Sequence, residues 1–136
     1  IGATITSFDF DEEEDVLNTI ETISTLPDGF DNKSCADIHI TSDGNFLYGS
    51  NRGHDSLAIF KVSSDGRKLE KAGHESTLGK TPRNFSIDPL GNYILAANQD
   101  SGDIFTFSIN KNDGSLQHTG DKIDIPYPVC IKFLKR

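Results

Sequence analysis

The sequence predicts an all-β protein made of propeller blades, each a sheet of four antiparallel strands, and three observations predict it. The stretch from Asp37 to Gly73 recurs without a gap from Asn84 to Gly120, every position lying 47 residues from its counterpart. Each copy alternates apolar and polar residues in short runs, the period of a strand that buries one face. The runs are separated by SDGN, RGHD and SSDGR in the first copy and by PLGN, QDSG and NKNDG in the second. Those compositions supply turns, because Gly, Asn, Asp and Pro tolerate or pre-set turn dihedrals. Four short strands in a gapless unit of about 40–50 residues describe a propeller blade.

Taken in order, ATITSFDF at 3–10 alternates and reads as a strand, and DEEED at 11–15 as an exposed turn. The apolar spacing of VLNTIETIS, 16–24, admits a helix, but the repeat decides for a strand: Phe8 aligns with Phe60 and Leu17 with Leu69, both 52 residues apart. The extra residues fall in TLPDGFDNKSC, a loop where insertion costs little. The first full unit then gives strands at 38–41, 46–51, 56–62 and 68–76; the second gives 85–88, 93–98, 103–109 and 115–120, the last continuing to Ile123. YPVCIKFL, 127–134, resembles the start of a blade, with Pro128 aligned to Pro82 and Ile131 to Phe85.

The expected organisation is one partial propeller of about two and a half blades. Residues 1–35 hold two outer strands and a loop, 36–80 and 81–124 are complete blades, and 125–136 is an inner closing strand. An open stack of blades exposes strand edges and half a core, so further blades, from the same protein or another chain, are the expected partners. The chain is read as the C-terminal part of a larger propeller.

Composition narrows function by exclusion. The net charge is −8, from 21 acidic and 13 basic residues, which repels phosphate backbones and anionic lipid, so neither nucleic acid nor membrane is an expected partner. No apolar run approaches the roughly 18 residues of a membrane span, and no secretory leader is visible, so a cytoplasmic protein is expected. Cys35 and Cys130 are isolated, without the spacing of a zinc site, and read as unpaired thiols. No metal or other cofactor is expected, and no nucleophile triad or phosphate loop is present.

Candidate site residues follow from topology. Strands within a blade alternate direction, so the start of the first strand and the end of the second lie at one rim of the central channel. That rim gathers Asp37, Arg83, Asn84, Tyr127 and Pro128 with Asn51, Arg52, Asn98 and Gln99. Two arginines and several amides there suit an anionic or oxygen-rich ligand. Arg52 and Arg83 break the repeat, their counterparts being Gln99 and Ala36, as residues retained for a site would. Asn51 and Asn98 obey the repeat, so a turn-holding role stands beside ligand binding. His39, inside an inner strand, reads as packed or channel-lining.

In ADIHITSDGNFLYGSNRGHDSLAIF, followed by PRNFSIDPLGNYILAANQDSGDIFTF, the sequence resembles the lactonase family of seven-bladed propellers, which includes 6-phosphogluconolactonases and carboxymuconate cyclase. SNRG and PRNF carry the more specific part of that resemblance. It implies seven four-stranded blades closed by a C-terminal inner strand, and an active site at the channel mouth built from arginines with a His and a Glu. Arg52 matches a family active-site arginine and is the expected catalytic residue. Arg83 matches a family-typical arginine and, with Asp37, Asn51, Asn98 and His39, is expected to bind substrate. The implied Glu and His fall before Ile1. The resemblance thus implies hydrolysis of a sugar lactone such as 6-phosphogluconolactone, with this portion inactive alone. A non-catalytic binding propeller and a cyclase-type isomerase are the alternatives.

Overall fold

The computed structural model describes residues 2–32 and 34–134. Ten strands account for the regular structure: β1 (Thr4–Asp11), β2 (Val16–Ser24), β3 (Cys35–Ile40), β4 (Phe46–Asn51), β5 (Ser56–Val62), β6 (Leu69–Ser76), β7 (Pro82–Ile87), β8 (Tyr93–Asn98), β9 (Asp103–Ile109) and β10 (Leu116–Asp124). They form one hairpin, β1–β2, and two four-stranded antiparallel sheets in the orders β3-β4-β5-β6 and β7-β8-β9-β10. The chain is thus all-β, and each sheet is a propeller blade.

The two sheets pack face to face. Phe46, Tyr48, Leu57 and Ile59 of the first meet Phe85, Ile94, Ala96 and Phe107 of the second in the larger core. The opposite face of the first sheet meets the hairpin through Ile5, Ala58 and Phe60, with Ile23, Leu47 and Leu69 at the margin. Both faces of β5 are therefore covered, which is why it reads SLAIF, a run buried at every position. Gly49 suits this stacking, since a Cβ there would meet Ile5 Cδ1 at 3.3 Å. Tyr48, fully buried, donates from its hydroxyl to the Gly114 carbonyl at 2.8 Å, and burial pushes its phenol well above the ordinary value.

The repeat is legible in the hydrogen bonds. Thr25 N–H donates to Ala3 O at 2.9 Å and Thr77 N–H to Asp55 O at 3.0 Å, linking equivalent strand ends in the hairpin and first sheet. Ala3, Asp55 and Gly102, each just before the third strand of its unit, all adopt positive φ. In the SDG turn, Asp43 accepts from the Thr41 hydroxyl at 2.6 Å, and that bond chiefly holds its carboxyl below the usual range.

Two expectations need revision. The inner strands begin earlier than hydrophobic alternation suggested, at Cys35 and Pro82, because their first residues already pair with Asn51 and Asn98 across a bulge. Residues 127–134 form no strand ladder among the described residues. This segment is nevertheless in blade register: Ile131 N–H donates to Asn84 Oδ1 at 2.7 Å, just as Phe85 N–H donates to Asp37 Oδ2 at 3.2 Å. A ladder needs a second strand on its free side, and none of the described residues lies there.

Candidate active site

Arg52 follows the last residue of β4 and Arg83 is the second residue of β7, so the packing of one sheet on the next brings both to the same rim. They share a cavity of about 200 Å³ whose remaining lining is Cys35 and Ala36. Arg52 is held from two directions. Its backbone N–H donates to Ser34 O at 2.7 Å, and its Nη2 donates to Cys35 O at 3.1 Å. Its Nε is buried without a partner among the described residues. Arg83 is exposed. Two guanidinium groups around so small a space, in a chain of net charge −8, form a local cationic pole. It suits a carboxylate, a phosphate or an oxyanion developing in a reaction, each of which a guanidinium can meet with two parallel hydrogen bonds.

The other expected site residues are engaged differently. Asn51 is fully buried; its Nδ2 donates to Thr25 O at 2.7 Å and its Oδ1 accepts from the Thr25 hydroxyl at 2.7 Å. Asn98 repeats the donor half of the arrangement, donating from Nδ2 to Thr77 O and to Asp103 Oδ1, both at 3.0 Å, while its Oδ1 is buried without a partner among the described residues. Each asparagine ties the end of a second strand to the outer end of the unit before it. Neither lines the arginine cavity, and the bonds each makes clamp one unit to the next.

Asp37 also lies outside the arginine cavity and is engaged by its neighbours. Its Oδ1 accepts from Ile38 N–H, while Oδ2 accepts from Asn84 Nδ2 at 2.5 Å, from Phe85 N–H and from the His39 ring at 3.1 Å. The carboxylate is spent on joining β3 to β7. His39 points the same way, its ring edge-on to Phe85 with centroids 4.8 Å apart. It is a half-exposed packed histidine outside the lining of the arginine cavity.

Sequence reasoning missed Cys35 and Ala36 as cavity walls. The one available signal was that Ala36 is the repeat counterpart of Arg83: a small residue in one blade leaves room for the arginine of the next.

Four-stranded antiparallel sheets stacked face to face define the blades of a β-propeller, and one rim of this stack carries the arginine pair. The family model for the seven-bladed β-propeller lactonases matches residues 1–133. The chain belongs to that family. It is 40% identical over 116 residues to 6-phosphogluconolactonase of Bacillus subtilis, which covers 85% of this chain and 33% of the relative. Among solved structures it is similar to a Lactobacillus plantarum protein, with TM-score 0.92, 30% identity, and 98% of this chain and 39% of that one covered. The periplasmic gluconolactonase of Pseudomonas aeruginosa superposes with TM-score 0.90 at 26% identity, covering 98% and 37%. The chain thus spans about a third of the length of the curated relatives and solved structures it matches.

Proposed function

We propose that the chain supplies the C-terminal part of a propeller hydrolase that opens a sugar lactone such as 6-phosphogluconolactone, with Arg52 and Arg83 binding the charge of substrate or transition state. The observation that carries this reading is the shared cavity of two repeat-breaking arginines; the names of the relatives support the substrate class.

In the proposed reaction, water attacks the lactone carbonyl carbon and the carbonyl oxygen becomes an oxyanion. Arg52, anchored through Cys35 O, donates to that oxygen. The ring C–O bond then breaks, and the leaving ring oxygen takes a proton. A base must deprotonate the water, and the described cavity lining holds neither a carboxylate nor an imidazole. The base is therefore assigned to blades beyond this chain, which would also close the ring, and the chain by itself is expected to be inactive.

The test is lactone hydrolysis by the intact protein. Arg52→Ala should lower kcat/KM by about a hundredfold or more, the usual cost of losing an oxyanion donor, and Arg83→Ala should act mainly through KM. Unchanged hydrolysis in Arg52→Ala would remove the assignment.

A further inference from the structure

The first unit departs from the repeat at three places that meet in space. The link between β2 and β3, residues 25–34, is five residues longer than the link 77–81 of the second unit, Arg52 stands where that unit has Gln99, and Gly53 where it has Asp100. In the second unit the short link holds the turn after β8 by hydrogen bonds. Gln99 N–H donates to Thr81 O at 2.9 Å, Asp100 N–H to Lys80 O at 3.1 Å, and the Thr81 hydroxyl to Asp100 Oδ2 at 2.5 Å. The first unit keeps the counterpart of the first bond, Arg52 N–H to Ser34 O at 2.7 Å, and adds packing by the longer link.

That link runs antiparallel to the turn after β4. Phe30 stands edge-on to the His54 ring with centroids 4.7 Å apart, Asn32 lies on Gly53, and Ser34 O takes the Arg52 N–H. A Cβ at Gly53 would fall 2.6 Å from Asn32 Cγ and 2.8 Å from Asn32 O, closer than real side chains approach. Gly53 lies outside the left-handed region, so its own backbone would accept alanine, and the approach of Asn32 is what requires glycine there. Because the close atoms include a main-chain carbonyl, an alanine would displace the link rather than turn one side chain. The link is anchored at its start, where Thr25 and Leu26 are buried and Thr25 O accepts from Asn51 Nδ2. Its end runs into Cys35, whose carbonyl accepts from Arg52 Nη2 at 3.1 Å. Pushing the link away from Gly53 therefore disturbs both carbonyls that hold Arg52.

We propose that Asn32 and Gly53 are positioning residues for Arg52: the extended link between β2 and β3 braces the turn after β4 and sets where the guanidinium sits in the cavity it shares with Arg83. The brace rests on the geometry of the link; its effect on turnover rests on the lactone reading above. A misplacement of about 1 Å costs a catalytic group on the order of a hundredfold, so a contact that only glycine admits is felt in the rate.

The test uses the intact protein with Gly53→Ala, which pushes on Asn32, and with Phe30→Ala, which removes an anchor of the same link without adding an atom. Gly53→Ala should lower kcat/KM about tenfold or more, and Phe30→Ala should act in the same direction. In an Arg52→Ala background either change should cost less than about twofold, because the brace has no guanidinium left to place. A second readout needs no activity. Arg52 Nε is buried, and exchange of its proton with water, followed by NMR, should quicken about tenfold in Gly53→Ala while the amides of β5 keep their protection. Equal losses with and without Arg52, or an Arg52 proton unmoved in both variants, would overturn the brace. If Gly53→Ala does not fold, Phe30→Ala decides by the same two measures. A wild-type protein that hydrolyses no lactone removes the hydrolase reading, and the Arg52 proton then decides the brace alone. Hydrolysis with an unmoved Arg52 proton does the reverse, keeping the hydrolase and removing the brace.

Discussion

Asn51 and Asn98 show how one residue type at one repeat position can look like a site and serve the fold. Both end a second strand, both are fully buried, and both donate to the carbonyl of a threonine, Thr25 or Thr77, at the end of the preceding outer strand. Gly79 makes room for the second clamp, since a Cβ there would meet the Asn98 amide and the Asp103 carboxylate within 2.5 Å. Asn98→Ala should therefore cost about 1–3 kcal/mol in unfolding free energy, because Thr77 O and Asp103 each lose a buried donor. Chemical denaturation with an unchanged m-value is the measurement. A variant as stable as wild type would show that the Asn98 clamp contributes nothing to folding.

Between elements, the decisive contact is that of β3 with β7. Asp37 reaches Asn84 and Phe85, and Asn84 in turn accepts from Ile131, so equivalent inner-strand positions hand one hydrogen-bond acceptor to the next around the axis. The apolar part of the same joint is Phe85, with no exposed surface. Phe85→Ala opens a cavity between the sheets and should destabilise by about 3–5 kcal/mol. It should also loosen Arg83, two residues away on the same strand. Hydrogen exchange can check this: protection should fall along both β7 and β3, and a loss confined to β7 would show that the sheets are not coupled through this residue.

At the scale of the whole molecule, two faces stay open. Ile38 is 48% exposed while its repeat counterpart Phe85 is fully covered, because the hairpin does not reach the inner part of the first sheet. Ile40 is exposed on the first sheet, and Phe8 and Phe10 are exposed on the hairpin. On the far face of the second sheet, Tyr93 and Phe133 are partly open beside a cavity of about 340 Å³. Apolar faces this extensive are covered in stable propellers. Expressed alone, the 136-residue chain should self-associate at micromolar concentration, and co-expressed upstream blades of a lactonase propeller should suppress that association. Sedimentation velocity decides it: a monomer with no affinity for hydrophobic dyes would mean that the open faces need no cover.

The sequence by itself determined the strands and their grouping. A 47-residue gapless repeat with alternating apolar positions leaves little freedom, and the expected ranges 46–51, 56–62, 93–98 and 103–109 coincide with β4, β5, β8 and β9. It also marked Arg52 and Arg83, since departure from an internal template is visible in the letters alone. Tertiary structure decided which polar atoms meet. Asp37, Asn51 and Asn98 carry side chains that suit a ligand as well as they suit a neighbouring strand, and only the stacking of sheets shows that each bonds to the adjoining unit. The physical reason is the same throughout. Strand formation is written in local periodicity, whereas hydrogen-bond satisfaction depends on neighbours 26 or 47 residues away, whose positions only the stacked sheets define.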